Sequence, residues 1–407
     1  MKNKVLFSLL VVVLVAGLLL GACGPKSSEV KTLKVGGNLP LSGPASVAGL
    51  AFKQGWDMAV EQINNEGGIK IGGDTYMIDL IVEDDKASPE SATTAATKLC
   101  YQDNVKIMFS SLAAVLNAPA YDVAKEAGAL TILSLAPSSE AAPGAYFGVG
   151  PDNPLCIRFG FAGDENSVYT FQYLADNYPD VKTVGMMALD FPEYRQLNGK
   201  YETDLAPLGL TITDDYELFP ADCMDFTPYV TRLLTTNPDA IFIYASAPPH
   251  STLIVKTARE AGFNGPIVYG PPLDPNFVIG AAPNVSDFIS PGFAMDDPNL
   301  PGPVKDAIAL GHEKYGDALV QDALNAYDLI MVFAQVMEKT GSTDPQAVLE
   351  TFETLTKPGD LQSIYGDSNV TGKDTVGVNR ILKRPVPVSV ILNGKGKFVG
   401  KFVGMFD

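Results

Sequence analysis

The chain has 407 residues, of which 46% are hydrophobic and 19% are charged, and its 38 glycines and 30 prolines follow no repeat. This composition excludes collagen, long coiled coils and wholesale disorder, and the length suits two or three domains with sizeable cores. The 29 Lys and Arg residues against 47 Asp and Glu give a net charge of −18. Because nucleic-acid binding needs clustered basic charge, we expect no nucleic-acid partner.

The first residues have the pattern of a targeting segment. Lys2 and Lys4 precede an apolar run over residues 5–20, and small residues then lead to Cys23. A basic start, a short apolar stretch and small residues at its end are typical of a signal peptide. A membrane helix needs about 20 apolar residues, which is more than this run supplies. We therefore predict that residues 1–22 are a signal peptide.

The residues before Cys23 also resemble the lipobox of bacterial lipoproteins, in which the cysteine is acylated and becomes the first residue of the mature protein. The resemblance implies lipidation at Cys23, with residues 23–32 as a lipidated tether and the lipid bilayer as a partner. Acyl chains bind a bilayer through burial of about 0.8 kcal/mol per CH₂. We expect an extracytoplasmic, membrane-anchored lipoprotein, either periplasmic or on the cell surface.

The reactive side chains give no pattern typical of an enzyme or a metal site. Three cysteines follow the tether, and an odd number outside the cytoplasm leaves at least one thiol without a partner in the same chain. They are Cys100, Cys156 and Cys223. His250 and His312 are the only histidines, and no CxxC, G-x-S-x-G, H-E-x-x-H or P-loop motif occurs. We therefore expect no enzyme, no metal and no cofactor.

From residue 33 onward, short apolar runs alternate with helical patterns. In the first half we predict strand 33–39, helix 49–66, strand 76–82, a helix from Pro89, strand 105–109, helix 117–126 and strand 129–133. The second half continues with helix 165–177, strand 181–189, helix 193–205, strand 210–218, helix 226–234, strand 240–244, helix 253–261 and strand 266–269. Runs that are apolar throughout indicate parallel sheets covered on both faces.

This alternation of strands and helices predicts an α/β fold, because right-handed crossovers between parallel strands make doubly wound sheets. One such sheet rarely uses about 385 residues, so we predict two doubly wound lobes with mainly parallel sheets, joined by a hinge. Ligands of open α/β sheets bind beyond the carboxyl ends of the strands. We therefore predict a ligand cleft between the two lobes.

Four local features have structural interpretations. Gly67-Gly68 is expected to end a helix with positive φ, and Asp225 to cap the start of another. Trp56, the only tryptophan, lies at helical spacing with apolar neighbours and is expected to pack in the core. We interpret the acidic pair Asp84-Asp85 as a solvated turn between strand and helix rather than as an acid–base pair.

Several motifs follow the predicted elements in order: NLPLSGP at 38–44, EQINNEGGI at 61–69, EDDKASP at 83–89, DFT at 225–227, NPDA at 237–240, AREAG at 258–262 and AYD at 326–328. Together they resemble the leucine/isoleucine/valine-binding proteins of ABC transporters, which have the type 1 periplasmic-binding-protein fold. The resemblance extends from about residue 33 to residue 355. It implies a small-molecule solute and a membrane permease of an ABC transporter as partners.

The resemblance further implies three crossings between the lobes, near Gly160, near residues 294–296 and near Pro358. Lobe I is then residues 33–160 and 296–357, and lobe II is residues 161–295 and 358–407. Such lobes close around a ligand by a hinge motion.

In amino-acid-binding members of this family, hydroxyls and backbone N–H groups hold the ligand carboxylate, an acid holds the ammonium, and tyrosines close over the site. Of the matched positions, one keeps its tyrosine, as Tyr194. The others carry apolar residues: Ala113 and Ala114 for a serine run, Pro137 for a threonine, Ala48 and Ala247 for tyrosines, and Pro272 for the acid.

An ammonium buried without an acid costs several kcal/mol, so these replacements disfavour a free amino acid. Hydroxyls remain at Ser111 and Ser138, and a helix N-terminus near residues 113–116 offers N–H groups to an anion. The aromatic candidates around the cleft are Phe161, Phe191, Tyr194 and Tyr244. The expected solute is small and largely apolar, such as an aromatic or aliphatic acid or a neutral amide.

Two alternatives stay open. If the register is shifted, Asp274 supplies the missing acid, and the protein binds branched-chain or other hydrophobic amino acids for import. In the other alternative, the protein is a tethered sensor that presents its ligand to a membrane receptor, because a fold does not decide function.

Overall fold

The computed structural model describes residues 30–43, 45–135, 147–190, 195, 197–213, 217–220, 222–244, 248–275, 278–279, 285–316 and 319–402. The first ten strands are β1 Val30–Leu39, β2 Ile69–Ile71, β3 Asp74–Asp84, β4 Ile107–Phe109, β5 Leu130–Leu133, β6 Cys156–Arg158, β7 Thr183–Leu189, β8 Thr211–Ile212, β9 Glu217–Phe219 and β10 Ala240–Tyr244. The others are β11 Ile267–Tyr269, β12 Phe288–Pro291, β13 Leu361–Ser363, β14 Gly366–Thr371, β15 Ile381–Lys383, β16 Val386–Leu392 and β17 Lys395–Phe402.

The α-helices lie between these strands, mostly where the sequence predicts them. They are α1 Ser46–Asn65, α2 Pro89–Thr97, α3 Ala114–Glu126, α4 Gly163–Asn177, α5 Asn198–Leu205, α6 Thr227–Leu234, α7 Pro248–Glu260, α8 Gly302–Tyr315, α9 Gln321–Thr340, α10 Pro345–Thr354 and α11 Lys373–Val376. A π-helical turn, Lys98–Gln102, continues α2, and a 3₁₀ turn, Ala206–Leu208, follows α5.

Within the described residues, the strands form two sheets. The first sheet has the order β13-β14-β15-β6-β5-β4-β1-β3-β2, and the second has the order β17-β16-β12-β11-β10-β7-β8, with β9 also paired to β7. The strands from β3 through β15 of the first sheet run parallel, as do those from β8 through β12 of the second. The predicted α/β fold of two lobes is confirmed.

Each sheet is covered by helices that bury apolar side chains against it. In the first lobe, Trp56 of α1 is fully buried and its ring lies 5.5 Å from that of Phe109 in β4. A Cβ on Gly37 would lie 2.4 Å from the Trp56 ring, so only glycine lets α1 pack this closely on β1. The prediction of Trp56 as a core residue is therefore confirmed.

The predicted helix ends follow from backbone conformation. α1 ends at Asn65, and Gly67 and Gly68 have φ values of 102° and 79°, which a glycine adopts without strain. Before α6, Asp225 Oδ1 accepts the backbone N–H of Thr227 at 3.0 Å, but the N-cap position is Phe226 and has no side-chain cap, so Asp225 fixes the turn that precedes the helix instead of occupying its cap.

Over its described residues, the chain passes between the two sheets at three places. β6 belongs to the first sheet while α4 packs on strands of the second, and β12 of the second sheet is followed by α8 on the first lobe. The third passage lies between Lys383, which ends β15, and Val386, which begins β16. The predicted crossing near Pro358 is wrong, because β13, β14 and β15 pair into the first sheet.

No helix in the described part of the chain is long and apolar enough to cross a membrane. The predicted signal peptide and Cys23 lie outside the described residues.

Candidate functional site

The candidate site lies where the carboxyl ends of the parallel strands of each sheet meet the other lobe. On the first lobe, the loops after β1, β3, β4 and β5 form this edge. Of the predicted ligand-binding residues, Pro137, Ser138, Phe191, Tyr194 and Ala247 lie outside the described residues.

Asp84 lies at the end of β3, and its hydrogen bonds join the loop after β1 to the loop after β3. Its carboxylate accepts the N–H groups of Leu41, Ser42 and Lys86 at 2.9, 3.3 and 2.9 Å, and the Ser42 hydroxyl at 2.6 Å. Burial acts to raise the pKa of Asp84, but these hydrogen bonds together lower it below its ordinary value. Asp84 is therefore a structural carboxylate that fixes two loops of the site edge.

Asp85 is fully buried, so the prediction of a solvated acidic pair is wrong for this residue. Its Oδ1 accepts the N–H of Ala87 at 2.8 Å. Burial raises the pKa of Asp85, against the opposing effect of the nearby Ser111 hydroxyl. Two successive residues without glycine's freedom, Lys86 and Ala87, have φ values of 52° and 54°. Such strain persists only where the surroundings impose the conformation.

The loops after β4 and β5 are joined by two serines. Ser134 N–H donates to Ser110 Oγ at 3.1 Å, and Ser134 Oγ donates to the Ser110 carbonyl at 2.8 Å. The next residue, Ser111, is also fully buried, and its Oγ has no hydrogen-bond partner among the described residues. Ser110 and Ser134 are therefore structural, whereas Ser111 forms no bond of this kind between the two loops.

Ala113 and Ala114 begin α3, and both are half-buried. No side chain caps this helix start, so its N-terminal turn presents backbone groups alone. Ala48, also half-buried, lies in the first turn of α1. The three alanines thus lie at helix starts along the site edge of lobe I, and their contact with a solute stays a prediction.

On the second lobe, Tyr244 is 1% exposed and packs inside the lobe. Its ring lies 5.9 Å from that of Tyr201 and 5.8 Å from that of Phe242. Because residues two apart on a strand share a face, Tyr244 lies with Phe242 on a covered face of β10. The structure therefore places Tyr244 in the core beneath the site.

Phe161 and Pro272 come together in a narrow crevice between the lobes. Residues that sequence reasoning missed complete its wall: Asn166, Pro291, Gly292, Gln321, Asn325, Tyr365, Val386 and Pro387. Asn166 is 2% exposed and its Oδ1 has no partner among the described residues. The polar residues of the crevice lie on two helices, Asn166 on α4 and Gln321 and Asn325 on α9. The sequence of neither helix contains a motif that would have identified them as site residues.

Asp274, the alternative acid, lies beside the second passage between the lobes. Its Oδ2 accepts the N–H of Met295 at 3.4 Å. The carboxylate is thus engaged with the backbone of the connecting segment.

A buried ion pair holds the passages together behind the crevice. Arg384 Nη1 lies 2.6 Å from Asp328 Oδ2, and Arg384 Nη2 donates to the Phe159 carbonyl at 2.9 Å. The guanidinium also lies 4.0 Å from the centre of the Phe161 ring, a cation–π contact. Nearby, Arg158 forms a two-bond pair with Glu165 of α4 at 3.0 and 2.8 Å. The hinge side of the cleft is therefore fixed by arginines.

Within the described residues, no group of three or more His, Cys, Asp or Glu side chains is placed to hold a metal ion. The three described cysteines form no disulfide with one another, and all are buried. Burial raises the pKa of the Cys100 thiol to about 11.

Comparison with known proteins agrees with this geometry. A family model described as "Periplasmic binding protein" matches residues 32–382. A leucine-, isoleucine-, valine-, threonine- and alanine-binding protein of Pseudomonas aeruginosa is 25% identical over 353 residues, which cover 83% of this chain and 89% of that protein.

Two solved structures have the same fold. One is an R. palustris solute-binding protein in complex with 4-hydroxybenzoate, with TM-score 0.72 and 18% identity, covering 91% of this chain and 97% of that one. The other is LivJ from Streptococcus pneumoniae in complex with isoleucine, with TM-score 0.69 and 19% identity, covering 91% and 99%. The family match and the two-lobed fold together show that this chain belongs to the periplasmic binding proteins, which are extracytoplasmic solute-binding partners of ABC permeases and not enzymes.

Proposed function

We propose that this protein captures a small, largely apolar solute for an ABC importer, and that the solute is an aromatic or aliphatic acid or a neutral amide without an α-ammonium. The observation that carries the proposal is Pro272. The resemblance to the family's amino-acid binders matches this position to their ammonium-binding acid, whereas here a proline lines the crevice beside Phe161.

The surroundings of Pro272 support a solute without an ammonium. The crevice wall combines prolines and aromatic rings with uncharged amides, and no Asp or Glu is among the residues that line it. Asp274, the other candidate acid, is engaged with Met295. An ammonium entering this crevice would meet no carboxylate among the residues that line it, and burying the charge unpaired costs several kcal/mol.

The fold accommodates both classes of solute in related proteins. The R. palustris neighbours are described in complex with 4-hydroxybenzoate or benzoate, and the Streptococcus pneumoniae neighbour with isoleucine. The aromatic acids of the first group are the class that fits the proposal, and Ser111, Ser138, Phe191 and Tyr194 are its proposed solute contacts.

Calorimetry on the purified protein tests this proposal with benzoate, benzamide and leucine. We expect benzoate or benzamide to bind at least about 100-fold more tightly than leucine, since the missing ion pair is worth about 3 kcal/mol. Tight binding of leucine with no response to either aromatic compound would overturn the proposal in favour of branched-chain amino acids.

A matched pair of variants sharpens the test. Pro272→Glu restores an acid, and Pro272→Gln has the same size without the charge. We expect leucine affinity to rise at least about tenfold in the glutamate variant relative to the glutamine variant. Equal leucine affinities in the two would contradict the role assigned to this position.

We also propose that Cys23 is acylated and anchors the protein to the membrane. Labelled palmitate should enter the wild-type chain and not Cys23→Ser, which should leave the membrane fraction. Membrane retention of the unlabelled serine variant would refute the lipid anchor.

A further inference from the structure

One buried oxygen atom in the wall of the crevice between the lobes has no partner. Asn166, in the first turn of α4, lines this crevice and is 2% exposed. Its Oδ1 forms no hydrogen bond within the part of the chain that the structure describes. A buried carbonyl oxygen without a donor destabilises the state that buries it, so this atom requires an explanation.

The other polar side chains of the crevice wall bind one another or the backbone. Gln321 Oε1 accepts the N–H of Phe293 at 3.0 Å, and Gln321 Nε2 donates to the Tyr365 hydroxyl at 3.4 Å. That hydroxyl in turn donates to Asn325 Oδ1. Among the side-chain oxygens of the described crevice wall, only that of Asn166 is therefore without a partner.

Several residues of the wall have no backbone donor to give. Pro272, Pro291 and Pro387 line the crevice and, as prolines, carry no N–H. The N–H of Gly292 already donates to the Pro387 carbonyl at 2.9 Å. None of these four residues thus supplies a donor to Asn166.

The backbone and an ion pair hold Asn166 in position. Its N–H donates to the Ala162 carbonyl at 3.1 Å. The preceding residue, Glu165, accepts two hydrogen bonds from Arg158, which is 1% exposed and ends β6. This pair joins a strand of lobe I to the first turn of α4, so Asn166 is presented to the crevice by rigid elements.

The wall of the crevice comes from both lobes, so a hinge motion opens and closes it. Asn166 lies on α4, which packs on strands of the second sheet, whereas Gln321 and Asn325 lie on α9 of lobe I. When the lobes part, water can donate to Asn166 Oδ1. Closure without a solute removes that water and leaves the oxygen unpaired, whereas a solute that brings its own donor avoids this cost.

We propose that Asn166 is a specificity-determining residue, whose Oδ1 accepts a hydrogen bond from a neutral O–H or N–H group of the bound solute. The inference rests on the proposed function, because it requires that the apolar solute be held against this crevice. It adds one requirement to the solute class. Besides a largely apolar body, the molecule carries a neutral hydrogen-bond donor.

Calorimetry on the purified protein with 4-hydroxybenzoate and 4-fluorobenzoate tests the inference, because the two compounds share a ring and a carboxylate and differ in one donor. For the wild type we expect 4-hydroxybenzoate to bind at least about tenfold more tightly, a difference of about 1.4 kcal/mol. Asn166→Leu keeps the size of the side chain without its polar atoms. In this variant the two affinities should lie within about twofold of each other.

Two further variants keep the result interpretable. Asn177→Leu makes the same replacement at the exposed end of α4 and should keep the wild-type ratio of affinities. Asn166→Ala also removes the acceptor and should give the same result if the leucine variant does not fold. Equal affinities in the wild type, or a preference that persists in Asn166→Leu or Asn166→Ala, would overturn the inference alone. If neither compound binds the wild type, the proposed class of aromatic acids fails and the inference fails with it.

Discussion

Arg384 and Asp328 form an ion pair that water does not reach, because their side chains are 1% and 0% exposed. Asp328 also accepts Ser363 Oγ and the Ile364 N–H, both at 2.8 Å. Asp328→Asn and Arg384→Met each remove one charge of the pair, and the double variant removes both. Because the pair joins α9 to the third passage between the lobes, its loss is expected to act on the whole fold.

The structure sets the magnitude. Removing one partner of a buried pair leaves an uncompensated charge, which costs about 3–5 kcal/mol. Asp328→Asn keeps an acceptor for Ile364, so we expect the lower end, a loss of about 3 kcal/mol in the free energy of unfolding. Arg384→Met leaves Asp328 with its two hydrogen-bond donors, Ser363 and Ile364, and should cost a similar amount. The double variant should lose about 2 kcal/mol less than the sum.

Urea unfolding followed by circular dichroism measures these differences. Arg232→Ala is the matched control, because Arg232 pairs with Glu217 on the surface, with its side chain 55% exposed. Its unfolding midpoint should stay close to that of the wild type. A loss below about 1 kcal/mol for Asp328→Asn, or a double variant whose loss equals the sum of the single losses, would show that the two charges do not stabilise each other as a buried pair.

Two further predictions follow from packing and burial. A Cβ on Gly55 would lie 2.0 Å from the Ala323 carbonyl oxygen, so Gly55→Ala should push α1 from α9 and lower the free energy of unfolding by roughly 1–3 kcal/mol in the same urea assay. Gly199→Ala, with open space around its Cβ, is the control, and equal losses would contradict the clash. Burial raises the pKa of Cys100 to about 11, so its native thiol should react with a thiol reagent at about pH 8 far more slowly than after unfolding, as mass spectrometry of the labelled peptide would report. Equal rates in the two states would contradict its burial.

The alternation of strands and helices was predictable because several of the parallel strands, such as β4, β5 and β10, are buried along their whole length and are largely apolar. The strands in the last part of the chain, from β13 onward, were not predictable in this way. β14 contains Asp367, Ser368 and Asn369, and β17 alternates lysine and glycine with apolar residues. These two antiparallel strands carry no continuous apolar run, so neither they nor the position of the third passage followed from the pattern.

The site was predictable only in part, for a similar reason. Phe161 and Pro272 lie next to strand ends, and the alternation of elements locates strand ends well. Asn166 and Gln321 reach the same crevice from α4 and α9, which are distant in sequence and joined only by the fold. The burial of Asp85 depends on the loops above it, and an acidic pair at a turn gives no local sign that one member is enclosed.

The position of the third passage has a consequence for biosynthesis. β12 gains its antiparallel neighbour only when β16 has been made, and β16 follows the three strands that finish the first sheet. A nascent chain halted anywhere before residue 386 therefore carries an unpaired sheet edge, which is a template for association with other chains. Neither lobe has a complete sheet until about the last tenth of the polypeptide has been synthesised. A truncated product would therefore be prone to aggregate rather than persist as one intact lobe.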